Sequence, residues 1–342
     1  MLNIALFVLL FVASVMLGHE YMARRAIEQE HPASGNFVDV TKARLHYLHQ
    51  AAATPSAAAP PSAAVPPSAA APIVLIHGSS GSAYDMAGAF FDVLPDDVDV
   101  YAFDRPGIAW SENKVTPLEM SHPAEQARAI HEAVGKLGLS RPVIVGHSWG
   151  GAVATAYAQL FGDEITGAVS LAGVHYVWDG PNGWYDELLS VPVLNKIFAN
   201  LFLTKLGSFM VPASIEGIYW PETPRENYRK IAAADLILRP WNIIHNSTYS
   251  MNLRRHLAEM TPHYSNIKTP FILATGDRDR IVHPKHQSHR LHGEIDGSEL
   301  IYFRQVGHML HHSQNEILAE AIMRLSRGQA VRPGITEIPA KR

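Results

Sequence analysis

The chain of 342 residues contains no cysteine. That excludes disulfides, thiolate metal sites and cysteine nucleophiles together, and it leaves the redox compartment open. Neither charge sign is in excess: 28 Lys and Arg stand against 32 Asp and Glu. Nothing in that balance points to nucleic acid or to strong attraction by an anionic surface. Hydrophobic residues make up 47% of the chain. A core of that size fits one domain with an insertion better than two equal domains.

Two stretches without charge bear on how the chain is organised. Leu2 to Gly18 is a run of 17 residues in which only Asn3 and Ser14 are polar. This is close to the lower limit for a membrane span. No Lys or Arg precedes the run and no A-x-A cleavage site follows it, which favours an uncleaved anchor over a secretory signal peptide. The expectation is a protein held to a bacterial inner membrane by one N-terminal span. Arg24 and Arg25 give only weak direction to it, and the side on which the rest of the chain lies stays open. The second stretch, residues 51–72, is Ala, Pro and Ser apart from Thr54 and Val65, and reads as a flexible loop.

Short β-branched runs ending in glycine-rich turns carry the chemistry. Pro142-Val143-Ile144-Val145 leads into Gly146-His147-Ser148-Trp149-Gly150, and a helix of small residues follows. This is a G-x-S-x-G turn in the strand–turn–helix setting it requires. The turn forces Ser148 into a strained backbone with its hydroxyl exposed, and a Cβ at the flanking glycines would strike neighbouring elements. Upstream, Ile73-Val74-Leu75-Ile76 runs into His77-Gly78-Ser79-Ser80-Gly81. The strand Val98–Phe103 ends in Asp104-Arg105-Pro106-Gly107-Ile108-Ala109-Trp110-Ser111. Downstream, Phe271–Gly276 is followed by Asp277-Arg278-Asp279-Arg280-Ile281-Val282, and Leu300–Arg304 by Val306-Gly307-His308. A serine hydroxyl needs an imidazole to take its proton, and the imidazole needs a carboxylate to fix its tautomer.

These motifs resemble those of the α/β-hydrolase superfamily, in particular its capped bacterial members with a serine nucleophile. The resemblance covers the chain from about residue 36 onward. It implies an α/β-hydrolase fold, a mostly parallel sheet flanked by helices with an inserted helical cap, to which the N-terminal run adds a hydrophobic anchor helix. The boundaries it suggests are 1–35 for anchor and connecting helix, 36–175 for the first part of the core, 176–262 for the cap and 263–342 for the second part. The order Ser, Asp, His is that of the superfamily. Carried over by position, Ser148 is the nucleophile, Asp279 the acid and His308 the base, with the amides of Ser79 and Trp149 as oxyanion donors. Asp277 is a turn-former rather than the acid, and Asp104 is structural. Ala109 stands where the superfamily usually has glycine.

Residue identity prunes the branches. Haloalkane dehalogenases and epoxide hydrolases of this fold use an aspartate nucleophile, and Ser148 argues against both. Carboxylic ester hydrolysis ranks first. Carbon–carbon or amide hydrolysis, a haloperoxidase-like perhydrolase and a non-catalytic binding protein on the same fold are the alternatives. The cap region holds Trp178, Trp184, Trp220 and Trp241 and an apolar stretch that includes Ile197, Phe198, Leu201, Phe202, Leu203, Phe209 and Met210. Part of it must form the cap's own small core, and the remainder suggests a hydrophobic pocket over Ser148. The expected partner is a small hydrophobic substrate, with no nucleic acid, no cofactor and no metal. His283, His286, His289 and His292 recur at three-residue spacing on one expected helix, and read as neutral exposed imidazoles rather than metal ligands.

Overall fold

The computed structural model describes residues 2–53, 70–180, 189, 191 and 193–340. Most of the Ala/Pro loop and Trp184 therefore lie outside the described residues. The strands are β1 (Asn36–Asp39), β2 (Ala43–Gln50), β3 (Ile73–Ile76), β4 (Val100–Phe103), β5 (Glu112–Asn113), β6 (Val143–His147), β7 (Gly167–Leu171), β8 (Phe271–Gly276), β9 (Glu299–Phe303) and β10 (Gly334–Ile338). They form one sheet in the order β1-β2-β4-β3-β6-β7-β8-β9-β10, with β5 beside β2. β1 and β2 make an antiparallel hairpin, with Val38 opposite Leu45, and β2 runs antiparallel to β4. From β4 onward every pairing is parallel.

A parallel sheet covered on both faces is built from continuous apolar runs rather than alternating ones. β3 and β6 follow this rule. Val74, Ile76 and Ile144 enter one core layer, beneath α3 (Pro123–Lys136) and α4 (Trp149–Phe161). Ile73, Leu75, Val143 and Val145 enter the other, beneath α2 (Ala83–Phe90) and α11 (Asn315–Ser326). The small residues of α4 let it lie hard against the sheet: a Cβ on Gly151 would come within 2.6 Å of the Gly173 Cα.

Between β7 and β8 the described chain is helical, with α5 (Leu194–Leu201), α6 (Leu203–Tyr219), α7 (Tyr228–Ile231) and α8 (Pro240–Met260). This insertion has its own small core of Val211, Ile215, Tyr219, Tyr228 and Leu238, closed by Met309 from the main domain. The apolar stretch read as pocket lining divides differently from expectation. Leu203 is buried, but Ile197, Phe202, Phe209 and Met210 are exposed, Phe209 at 73%. Side chains this exposed do not enclose a pocket.

The N-terminal run belongs to α1 (Leu2–Glu30), a single helix of 29 residues. Among the described residues no single helix is long and apolar enough to cross a membrane. α1 continues past Gly18, and its second half docks on α5 and α6. The buried Glu20 carboxylate accepts the amides of Thr204 (3.0 Å) and Lys205 (3.3 Å). Glu28 lies 3.8 Å from the Arg239 guanidinium. The expected anchor and connecting helix are one continuous helix here, and its second half is fastened to the insertion. The expected histidine helix also differs. α9 (Ser288–Glu294) begins after His283 and His286, and the next helix, α10 (Leu310–Ser313), carries His311 and His312.

Candidate active site

Four of the motifs meet at the carboxyl edge of the parallel sheet. His77-Gly78-Ser79 leaves β3, Ser148 follows β6, Asp279 lies beyond β8 and His308 beyond β9. Ser148 has φ 53° and ψ −115°, a conformation that a non-glycine residue holds only when its surroundings impose it. The surroundings do so by close approach. A Cβ on Gly146 would run into the carbonyl of Gly150, and one on Gly150 would lie 2.6 Å from the His77 carbonyl oxygen. The turn is therefore locked between its own helix and the loop after β3.

Asp279 and His308 are both nearly inaccessible, and Asp279 Oδ2 lies 2.7 Å from His308 Nδ1. The other oxygen of Asp279 accepts the amides of Ile281 and Val282, each at 2.8 Å. Those two bonds hold the carboxylate plane while it faces the imidazole. With Nδ1 donating to a carboxylate, the lone pair of His308 resides on Nε2. Asp277 points elsewhere: its Oδ1 accepts the Gln305 amide at 2.7 Å and Arg304 lies 3.7 Å away. The His308 loop is tied to the Ser148 turn, because His147 Nε2 donates to the His308 carbonyl at 3.1 Å. The insertion holds the same loop from outside, with Glu222 accepting the Gly307 amide at 2.8 Å.

The loop after β3 is oriented through its carbonyl. His77 Nε2 accepts the Arg105 amide at 2.9 Å, so its proton sits on Nδ1, which donates to the Gly78 carbonyl at 2.7 Å. Burial, with Arg105 nearby, lowers the His77 pKa to about 4, so the ring is neutral in this role. Arg105 Nη2 donates to the same carbonyl at 3.2 Å, and its guanidinium lies 4.3 Å from the Trp149 ring centroid. In a trans peptide the N–H points opposite to the C=O. Holding the Gly78 carbonyl therefore aims the Ser79 N–H away from Arg105. Trp149 is the first residue of α4, where backbone amides have no intrahelical acceptor.

Asp104 is fully buried and structural in its contacts. It accepts from His46 Nδ1 (2.7 Å), the Ala83 amide (2.6 Å) and the Trp110 amide (3.0 Å). Burial works to raise its pKa, but the His46 contact outweighs it and holds the carboxyl low. Ala109 has φ 47°, in the left-handed region that glycine enters freely. Its carbonyl accepts from the buried Arg239, whose guanidinium also covers the rings of Trp110 and Trp241.

A sequence profile described as the alpha/beta hydrolase family matches residues 73–321. The chain belongs to the alpha/beta hydrolase family. Among curated relatives, a proline iminopeptidase of Thermoplasma volcanium is 21% identical over 251 residues, covering 69% of this chain and 82% of the relative. Among solved structures, a bacterial membrane phospholipase A superposes with a TM-score of 0.59 at 17% identity, covering 96% of this chain and 95% of its own. An esterase of Exiguobacterium antarcticum gives a TM-score of 0.62 at 16% identity, over 86% of this chain and 99% of its own. The wider overlap with the phospholipase has a structural consequence. α1 amounts to 29 of 342 residues, so a 96% overlap reaches well into it.

Two parts of this alpha/beta hydrolase site gave no signal in the sequence. Asn246 of α8 accepts from the Ser79 hydroxyl (2.9 Å) and the Ser80 amide (3.0 Å), so the insertion braces the loop after β3. Behind the Ser148 turn, Asp85 of α2 accepts from His311 Nε2 (3.2 Å), His312 Nε2 (2.8 Å) and the Tyr228 hydroxyl (3.0 Å). Burial would raise the Asp85 pKa, but His311 and His312 hold it well below the usual range. These distances are those of hydrogen bonds, and each imidazole donates through Nε2. Among the described residues the other cluster of possible metal donors is His122, His256 and Glu259; the 283–292 histidines do not converge.

Proposed function

We propose that this alpha/beta hydrolase is a serine hydrolase that works through an acyl-enzyme, with carboxylic esters of hydrophobic acids as its substrates. The observation that carries the reading is the buried 2.7 Å contact between Asp279 and His308 at the sheet edge that presents Ser148. In this mechanism Ser148 Oγ attacks the substrate carbonyl while His308 Nε2 takes its proton. Asp279 keeps the Nδ1 tautomer and stabilises the imidazolium. The amides of Ser79 and Trp149 receive the oxyanion. His308 then protonates the departing alcohol and removes a proton from the water that hydrolyses the acyl-enzyme.

The hydrophobic substrate is supported not by a pocket lining but by the exposed apolar residues of the insertion, here taken as a cap over residues 176–262, and of the α1 helix joined to it, which suit a protein that meets lipid. The membrane reading rests on the same features: α1 exposes Leu6, Phe7, Leu10 and Phe11 along one end while its other end is fixed to the cap. The likeness to a membrane phospholipase A lends support through shape alone.

The test is hydrolysis of p-nitrophenyl esters of increasing acyl length, with Ser148→Ala alongside. Turnover that rises with acyl length and vanishes in the variant is the expected result. Ser148 labelled by a fluorophosphonate without turnover of any ester would overturn ester hydrolysis in favour of another acyl bond. Absence of labelling would overturn the serine hydrolase reading itself.

A further inference from the structure

Single exposed apolar side chains are ordinary on a soluble surface; a cluster on elements that touch one another is not. Val193, Ile197, Phe202, Leu206, Phe209 and Met210 are all exposed, between 43% and 73%. They lie on α5 and α6 or at the residues that begin them, Val193 and Phe202, and both helices pack against α1. α1 adds its own exposed Leu6, Phe7, Leu10 and Phe11. Residues 195–201 and 203–219 together have the length and hydropathy of a membrane-crossing segment, but the two helices meet at 78°. A bent pair cannot cross a bilayer as one rod, whereas it can lie within its interfacial layer. Lys196 and Lys205, both exposed on the same helices, supply cations at the level of phosphate headgroups.

We propose that the outer face of α5 and α6 is a membrane-seating surface, inserted into the interfacial layer of a phospholipid leaflet beside α1. The cap, not α1 alone, then meets the lipid. Glu20 couples the two contacts rigidly, because its carboxylate holds the first amides of α6. The occupant is a bilayer rather than a second copy of the chain, since the face carries Lys196 and Lys205 among its apolar side chains and the helices that bear it pack against α1, whose first half exposes apolar residues of its own. This inference rests on the membrane reading given above and is independent of the bond that is cleaved.

The absence of cysteine makes the test clean. Single-cysteine variants of the full chain, Leu206→Cys, Phe209→Cys, Val12→Cys on α1 and Glu320→Cys on α11, are labelled with an environment-sensitive fluorophore. Each is reconstituted in phosphatidylethanolamine–phosphatidylglycerol vesicles and challenged with a lipid-borne nitroxide and with aqueous iodide. The expected result is nitroxide quenching at 206, 209 and 12, with 320 quenched by iodide only. Iodide quenching at 206 and 209 with nitroxide quenching at 12 would overturn the cap contact and leave α1 as anchor. Nitroxide quenching at none of the sites would overturn both the cap contact and the membrane reading. Protection from both quenchers at 206 and 209 would mean a second copy covers the face, and would overturn the proposal. Turnover of a short water-soluble ester by the labelled variants checks the hydrolase chemistry separately, so its failure is distinguishable from failure of the cap contact.

Discussion

Arg105 is wholly buried, and among the described residues no carboxylate forms an ion pair with it. A buried cation is tolerable only where dipoles replace its water. Here the Gly78 carbonyl, the Gln126 Oε1 atom at 3.3 Å and the face of Trp149 do so. The arrangement spends a charge on fixing one peptide plane, which is the plane whose N–H is proposed to receive the oxyanion. Arg105→Met should therefore lower kcat by about 10²-fold, the usual cost of losing one oxyanion donor, and leave KM for a short ester nearly unchanged. A melting curve run beside the kinetics separates this from unfolding. An unaltered kcat in a folded variant would show that the Ser79 amide does not depend on Arg105. The placement of Asp279 against His308, at the sheet edge that presents Ser148, was legible because each of the three follows an apolar strand run and a glycine within a few residues. Asn246 and Asp85 were not, since their bonds to Ser79 and His311 span 167 and 226 residues, and nothing local announces such a partner.

At the level of elements, α6 begins without a cap of its own. Its N-cap residue is Phe202, which has no side-chain acceptor to offer. The first amides of a helix need acceptors, and the Glu20 carboxylate also meets the positive end of the helix dipole. Glu20→Ala leaves two amides without their acceptor, a loss of about 1–2 kcal/mol by analogy with N-cap substitutions. The expected outcome is faster hydrogen exchange at residues 204–207 and freer motion between α1 and the cap, while short-ester turnover is retained. Exchange rates identical to those of the parent protein would remove Glu20 from this role. β3, β4, β6, β8 and β9 were readable from apolar runs because burial on both faces leaves no other pattern. The course of α1 was not, because the hydrophobic run marks where apolar residues stop and says nothing of where the helix ends. Glu20 looked like one charge beyond that run, and its partners lie 184 residues away.

On the scale of the whole molecule, the buried histidines set how the fold answers acid. His77 and His311 are lowered to about 4 and His175 to about 3, each chiefly by burial, and His147 is lowered by burial and by His311 and His308. All four are neutral in the folded protein, whereas an unfolded chain protonates histidine near pH 6.5. Between about 6.5 and 4 the unfolded state thus binds more protons, so stability is fully present above that window and falls as the pH drops through it. Each such histidine contributes up to ~1.4 kcal/mol per pH unit. Asp85 and Asp104 act in the same direction lower down, since carboxyls held below their ordinary values stabilise the fold until the pH falls through those lowered values. Two such histidines acting together would remove up to about 7 kcal/mol between pH 6.5 and 4, a large share of a typical stability of 5–15 kcal/mol. Urea unfolding at a series of pH values should therefore show a midpoint that drops steeply from pH 6.5 to 4.5, with a net uptake of more than one proton. His175→Gln, which retains a hydrogen-bonding group beside Ser170 and Thr155, should reduce that uptake by about one proton. A midpoint flat across the window would mean that these rings carry protons in the fold, and the neutral tautomers assigned to His77 and His147 would fall with it.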